Sequence, residues 1–192
     1  MAIKIGVIAE DISDVQVITE ILAKYIDRTK FSVKHFVGQG CGKLKTKCQA
    51  WATNLTKAGC QHILIFHDLD RNNEASLRKD ITERIQQADA IKTLIVIPVE
   101  ELEAWLLSDI EAIRHVFSIA QKIKAISNSE TVKSPKEHLQ KMVRRHSNKI
   151  YMNTVHNKKI ATYTNLQNLI KCSSYKPLDD YMRENFPRAL PA

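Results

Sequence analysis

Residues 62–70 read His62-Ile63-Leu64-Ile65-Phe66-His67-Asp68-Leu69-Asp70, an apolar run that ends on an Asp-x-Asp pair. The run is entered just after Gly59 and left through Arg71-Asn72-Asn73, which is loop chemistry. An unbroken run of this length between turn signals reads as a strand buried on both faces, as in parallel sheets covered by helices. In open sheets of that kind the functional crevice lies beyond the carboxyl ends of the strands. Asp68 and Asp70 fall at such an end and look built to hold a cation. The competing reading is that both acids cap the turn or helix that follows.

Toward the N-terminus, Ile3 to Ala9 is rich in β-branched residues and predicts a first strand that ends at Glu10-Asp11. Ile18, Ile21, Leu22, Tyr25 and Ile26 then recur at helical spacing, with Ser13 or Asp14 as the expected cap. Phe31 to Val37 predicts a second strand, followed by the flexible turn Gly38-Gln39-Gly40-Cys41-Gly42. That turn lacks the spacing and the Lys-Ser/Thr pair of a Walker phosphate loop. Leu44, Cys48, Trp51, Ala52 and Leu55 line one face of the next helix.

After the central strand, Leu77, Ile81, Ile85 and Ala88 mark a helix, and Leu94 to Ile97 a fourth buried strand stopped by Pro98. A helix opening on Glu100, Glu101 and Glu103 and running to Leu107 is expected next. Four strands alternating with helices predict an α/β fold, a mostly parallel sheet of about four strands flanked by helices with right-handed crossovers.

Beyond about Phe117 the chain turns polar and basic. A loop is expected across Ser127 to Glu130, and Ser134-Pro135-Lys136-Glu137 has the pattern of a capping box with proline at the first helical position. Two short helices are expected around Asn165 to Ile170 and Leu178 to Phe186. The organisation read from the sequence is therefore an α/β domain over residues 1–117 and a basic helical C-terminal extension over 118–192, packed on it as an appendage or as an extra layer of the same core.

At 192 residues, 44% hydrophobic and 26% charged, the chain can bury a sizeable core, which argues against wholesale disorder. No apolar segment approaches the ~20 residues of a membrane-spanning helix, and no signal-peptide pattern stands at the N-terminus, so the cytoplasm is the expected compartment. Cys41, Cys48, Cys60 and Cys172 lack metal-ligand spacing and read as reduced, mostly buried residues. A formal charge of +8 favours nucleic acid or another polyanion as partner.

Acids thus follow three predicted strands: Glu10, then Asp68 and Asp70, then Glu100 to Glu103. Parallel strands bring these ends to one edge, where unneutralised carboxylates repel and raise one another's pKa values. Hard oxygen ligands without clustered Cys or His point to Mg²⁺ or Mn²⁺. Against this, the acids could be spread over separate helix N-termini, each favoured by a helix dipole. Turning about 100° per residue from Glu100, the last helix of this region sets Glu103 on the flank of the apolar stripe, with Glu100 and Glu101 further round. Glu103 is thereby the expected ligand, with Asp11, Asp14, Glu100 and Asp109 as supporting candidates.

Glu10 at the end of a first strand with Asp68-x-Asp70 at the end of a later one resembles the Toprim domain, shared by topoisomerases, bacterial primases, small RNA-processing nucleases and nucleases of the overcoming-lysogenization-defect class. The stretch Ile97-Pro98-Val99-Glu100-Glu101-Leu102-Glu103-Ala104-Trp105-Leu106-Leu107-Ser108-Asp109 is similar to that of a small bacterial Toprim-like family associated with phage defence. The resemblance covers roughly residues 1–115. It departs from the common pattern where Ala9 and Asp11 flank Glu10 without a glycine. It implies a Toprim/Rossmann-like fold, acid–base or metal chemistry at Glu10, and Mg²⁺ at Asp68 and Asp70.

The expectation is a Mg²⁺- or Mn²⁺-dependent nuclease cutting DNA or RNA, with Glu10, Asp68, Asp70 and Glu103 as catalytic and metal-binding residues. Lys43, Lys45, Lys47, Arg144 and Arg145 are the candidate phosphate contacts, and a partner ATPase or other defence-system subunit is a candidate partner. The alternative is a catalytically silent Toprim-like subunit that binds nucleic acid or acts as an effector. A phosphoacceptor receiver domain is disfavoured, because the required Ser/Thr after the fourth strand and Lys after a fifth are not in place.

Overall fold

A computed structural model describes residues 2–38, 41–85 and 92–187, the side chains of residues 41–43 and 45 excepted. Strands β1 (Ile3–Ala9), β2 (Phe31–Val37), β3 (His62–Phe66) and β4 (Lys92–Val96) form one sheet in the order β2-β1-β3-β4. Every pairing is parallel, with Ile8 opposite both Phe36 and Ile65. Between the strands run α1 (Ile12–Leu22), α2 (Cys41–Lys57) and α3 (Glu74–Ile85). The α/β class and the parallel sheet are therefore as the alternation of apolar runs and helical periodicities implies.

Side-chain alternation splits the sheet into two cores. Ile5, Val7, Ala9, Leu64, Phe66 and Val96 face α1 and the C-terminal helices. Ile8, Ile63, Ile65 and Ile97 face α2 and α3. Gly6 points to α2, where an added Cβ would lie 2.9 Å from Leu55 Cδ1. The missing side chain is what lets α2 approach β1 so closely.

After β4 the chain makes α4 (Glu103–Leu107) and α5 (Ile110–Phe117), then α6 (Pro135–His146), α7 (Asn153–Tyr163), α8 (Leu166–Leu169) and α9 (Lys176–Asn185). Leu139, Val143, Ile160, Leu169, Tyr175, Leu178 and Met182 join the same buried cluster as β1, β3 and Trp105. The C-terminal helices are thus a layer of the sheet's own core. Among the described residues no helix is long and apolar enough to cross a membrane. Cys48, Cys60 and Cys172 are buried and form no disulfide among the described residues; the side chain of Cys41 lies outside them.

Several local expectations change. The cap of α1 is Asp11, which accepts from Ser13 N–H at 2.8 Å, while Asp14 accepts from Asp11 N–H at 2.9 Å. The expected loop at residues 127–130 contains a short 3₁₀ turn, Ser129–Thr131. Ser134 precedes α6 without a side-chain capping bond, because the Glu101 carboxylate takes the Lys136 N–H instead, at 2.8 Å. No helix opens at Glu100: it sits in the left-handed region at φ 59, in the turn before α4.

Candidate functional site

The strand order places a topological switch point between β1 and β3. From β1 the chain moves outward to β2, then crosses back to β3 on the other side. Helices therefore leave β1 and β3 toward opposite faces, and the two strand ends flank a crevice. Glu10 and Asp68 are the residues just past those ends. The Asp68 N–H donates to Glu10 Oε1 at 3.1 Å, so the backbone of one end holds the carboxylate of the other.

His67, only 1% exposed, completes this junction. Its Nδ1 lies 2.7 Å from the Asp68 carbonyl and 3.1 Å from Glu10 Oε1. Both partners can only accept, so Nδ1 carries the hydrogen and steers the Glu10 carboxylate. Its buried Nε2 has no hydrogen-bond partner among the described residues. Sequence reasoning passed over His67 as one more member of a buried strand; a histidine abutting Asp-x-Asp was the available signal.

Asp68 Oδ1 accepts from the Leu102 N–H at 3.0 Å, tying the end of β3 to the turn after β4. Burial pushes its carboxyl well above the usual range, helped by Asp14, Glu103, Glu10 and Asp70 in that order. Asp14, at the third position of the α1 capping box, is raised to about 7, first by burial and then by Glu103. Five carboxylates, Glu10, Asp14, Asp68, Asp70 and Glu103, thus share one electrostatic environment.

Asp70 and Arg71 both adopt left-handed backbone, at φ 46 and 61. The Asp70 N–H donates to the Glu100 carbonyl at 3.2 Å, and the Leu69 N–H to that of Pro98 at 3.0 Å. The Asp-x-Asp loop is therefore laced to the turn after β4, and the Asp70 side chain is left exposed at the rim.

Glu103, 5% exposed, is the most buried of the five. Its Oε1 accepts from Asn157 Nδ2 at 2.9 Å. The Tyr151 hydroxyl lies 3.3 Å from the same oxygen and 2.5 Å from Asn157 Oδ1; having one hydrogen, it serves the nearer acceptor. Burial and Glu103 together push the Tyr151 hydroxyl far up. Tyr151 and Asn157 come from the C-terminal layer, and no short motif announces them.

The remaining candidates have other work. Asp11 is a helix cap. Glu100 faces Arg71 at 3.6 Å. Asp109, 4% exposed, accepts from Ala112 N–H at 3.1 Å and Asn165 N–H at 2.8 Å, capping α5 and fixing the start of α8. Lys47 is exposed on α2, and Arg144 and Arg145 are exposed in the last turn of α6. The side chains of Lys43 and Lys45 lie outside the described residues, as do Gln39 and Gly40 of the glycine turn.

The strongest electrostatic neighbours of Asp68 are all carboxylates, which is the donor chemistry of a hard divalent cation. Among the described residues, however, no group of three or more His, Cys, Asp or Glu side chains stands ready to hold a metal ion. The chemistry fits such an ion, and binding one would require these side chains to draw together.

Comparison with curated proteins and with solved structures finds no match. The family described as "Domain of unknown function (DUF4276)" matches residues 9–182, which takes in Glu10, the whole acidic edge and the C-terminal layer up to the last residues of α9. The chain belongs to that family.

Proposed function

We propose that this protein is a divalent-metal-dependent phosphodiester hydrolase acting on DNA or RNA. The observation that carries the reading is the junction of Glu10 and Asp68 across the switch point, with Asp14 and Glu103 acting on the same carboxyl group. Four acids at one strand edge cost free energy in the absence of a cation, and a cation relieves that cost.

Asp68 and Glu10 would hold the ion, with Asp70 and Glu103 as further ligands. A bound Mg²⁺ or Mn²⁺ supplies Lewis-acid stabilisation of charge at phosphorus and a more acidic water. The chain does the positioning. Asp68 N–H and His67 Nδ1 aim Glu10, Leu102 N–H aims Asp68, and Asn157 aims Glu103. A place in phage defence beside a partner ATPase belongs to the same proposal and rests on the resemblance to the Toprim-like family alone.

A second reading is a silent subunit that binds nucleic acid or acts as an effector; it is favoured by the lack of a ready-made ligand group among the described residues. Incubating the pure protein with labelled DNA and RNA, in Mg²⁺, Mn²⁺ or EDTA, separates the two. Hydrolysis that requires the metal and vanishes in Asp68→Asn and Glu10→Gln supports the enzyme. Intact substrate under every condition, with binding retained, supports the silent subunit.

A further inference from the structure

The basic charge of the C-terminal layer is not spread evenly. One cleft, of about 500 Å³, is walled by Lys122, Lys124, Lys141 and Arg145, with His138 and His146. A second, of about 660 Å³, shares Arg145 and His146 with the first and adds Arg144 and Lys149. A third, of about 420 Å³, shares Arg144 and Lys149 with the second and ends on Tyr151. Shared residues set the three clefts side by side, as a basic track that wraps around the C-terminal end of α6.

The cations along it are available. Among the described residues no carboxylate pairs with Lys122, Lys124, Arg144 or Arg145, and all four are exposed. Lys141 faces Glu137 at 3.6 Å on the open helix surface, an exposed pair that binds weakly. The Lys149 ammonium reaches the Val116 carbonyl and Ser118 Oγ, both at 3.2 Å, neither of which neutralises it.

The track is also tied to the acidic edge at two points. Tyr151, its end wall, carries the hydroxyl beside Glu103. The helix that lines it, α6, begins where Lys136 N–H meets the Glu101 carboxylate. Arg144 and Arg145 lie eight and nine residues further on, about 12–14 Å along the helix axis at 1.5 Å per residue. Along the axis of a duplex, where each strand carries one phosphate per about 3.4 Å, that span covers about four base pairs.

We infer that this track binds the phosphodiester backbone of a nucleic-acid strand and leads it to the acidic edge. Evenly spaced negative charge is the chemistry that a line of exposed Lys and Arg fits, and such contacts carry affinity without reading sequence. The inference rests on the proposed function and deepens it by placing the substrate on a surface outside the carboxylate cluster that runs up to it.

The test is binding in EDTA, where no metal-dependent step contributes, using labelled single- and double-stranded DNA and RNA over a range of salt. The variant Lys122→Gln/Lys124→Gln/Arg145→Gln should make the plot of log affinity against log salt shallower by about 2 to 3, since each lost phosphate contact removes roughly 0.7–0.9 from the slope. The control Lys30→Gln/Lys34→Gln/Lys57→Gln removes the same charge from exposed positions elsewhere on the domain and should leave the slope unchanged. Equal effects of both triples, or none from the first, overturn the track. Polyglutamate competing as well as nucleic acid at equal charge concentration overturns the phosphodiester assignment. A track variant that loses binding in EDTA while the Lys30/Lys34/Lys57 control keeps it supports the inference even if no hydrolysis is ever seen, so the two proposals fail separately.

Discussion

Asn157 Nδ2 donates to Glu103 Oε1 at 2.9 Å, joining residues 54 positions apart in the chain. Both side chains are buried. The Tyr151 hydroxyl points to Asn157 but stands close enough to turn to Glu103 if the amide is removed. Asn157→Ala alone should cost about 1–3 kcal/mol, the range for a buried polar group losing its partner. Adding Tyr151→Phe should cost more than the two single losses summed, because the reserve donor has gone. Urea denaturation of the four forms measures this; strict additivity would show that Tyr151 does not stand in.

Asp14 gives the protein a pH signature. Its carboxyl is raised to about 7 in the fold, against an ordinary value near 3.8. A group raised on folding stabilises fully below its unfolded pKa, and that stability is lost as pH rises through the folded value. In EDTA, the contribution of Asp14 should therefore fall between about pH 4 and pH 7, and Asp14→Asn should flatten that part of the Tm profile. A wild-type and variant profile of the same shape across this window would refute the assignment.

Asp68→Asn keeps the oxygen that accepts from Leu102 and removes a charge that four other acids oppose. The variant should match or exceed the wild type in Tm in EDTA. It should also lose the stabilisation that Mg²⁺ or Mn²⁺ gives the wild type, which would be about 2.7 kcal/mol at a hundredfold excess over Kd. A variant less stable than wild type in EDTA, with the metal response intact, would move the cation site elsewhere.

Much of the fold was legible because its strands carry runs such as Ile63-Leu64-Ile65-Phe66, where both faces are buried and apolar residues need no alternation. Helix α7 was not legible. Of its eleven residues only Asn157, Ile160 and Ala161 are buried, and Asn157 is polar, so no apolar stripe marks it. At the site, the strand-end acids follow from topology; the stripe that singled out Glu103 assumed a helix running from Glu100, whereas α4 begins at Glu103 itself and α5 restarts at Ile110. The left-handed turn at Glu100 and the double capping role of Asp109 depend on long-range backbone partners that no local pattern encodes.

Asp109 accordingly should matter to stability before chemistry. Asp109→Ala removes the acceptor of Ala112 N–H and Asn165 N–H, and should cost about 1–2 kcal/mol as a lost cap. Any cleavage activity should return when the variant is assayed well below its Tm. Glu103→Ala should show no such recovery. Identical temperature profiles for the two variants would place Asp109 in the chemistry after all.

Gly6→Ala tests the seating of α2. The new methyl would stand 2.9 Å from Leu55 Cδ1 and 3.2 Å from its Cβ, and overpacking of this kind costs about 1–3 kcal/mol. Leu55→Val in the same chain should recover part of the loss in Tm. No recovery would mean that the strain is carried by backbone instead.

Because Glu103 is seated by residues 151 and 157, the acidic edge is finished late in the life of the chain. A polypeptide still leaving the ribosome exposes Glu10 first, then Asp68, then Glu103, yet the partner of Glu103 emerges some fifty residues later. The edge therefore matures only after Tyr151 and Asn157 have emerged, and a nascent product that stops short of them carries its acids without the geometry that organises them.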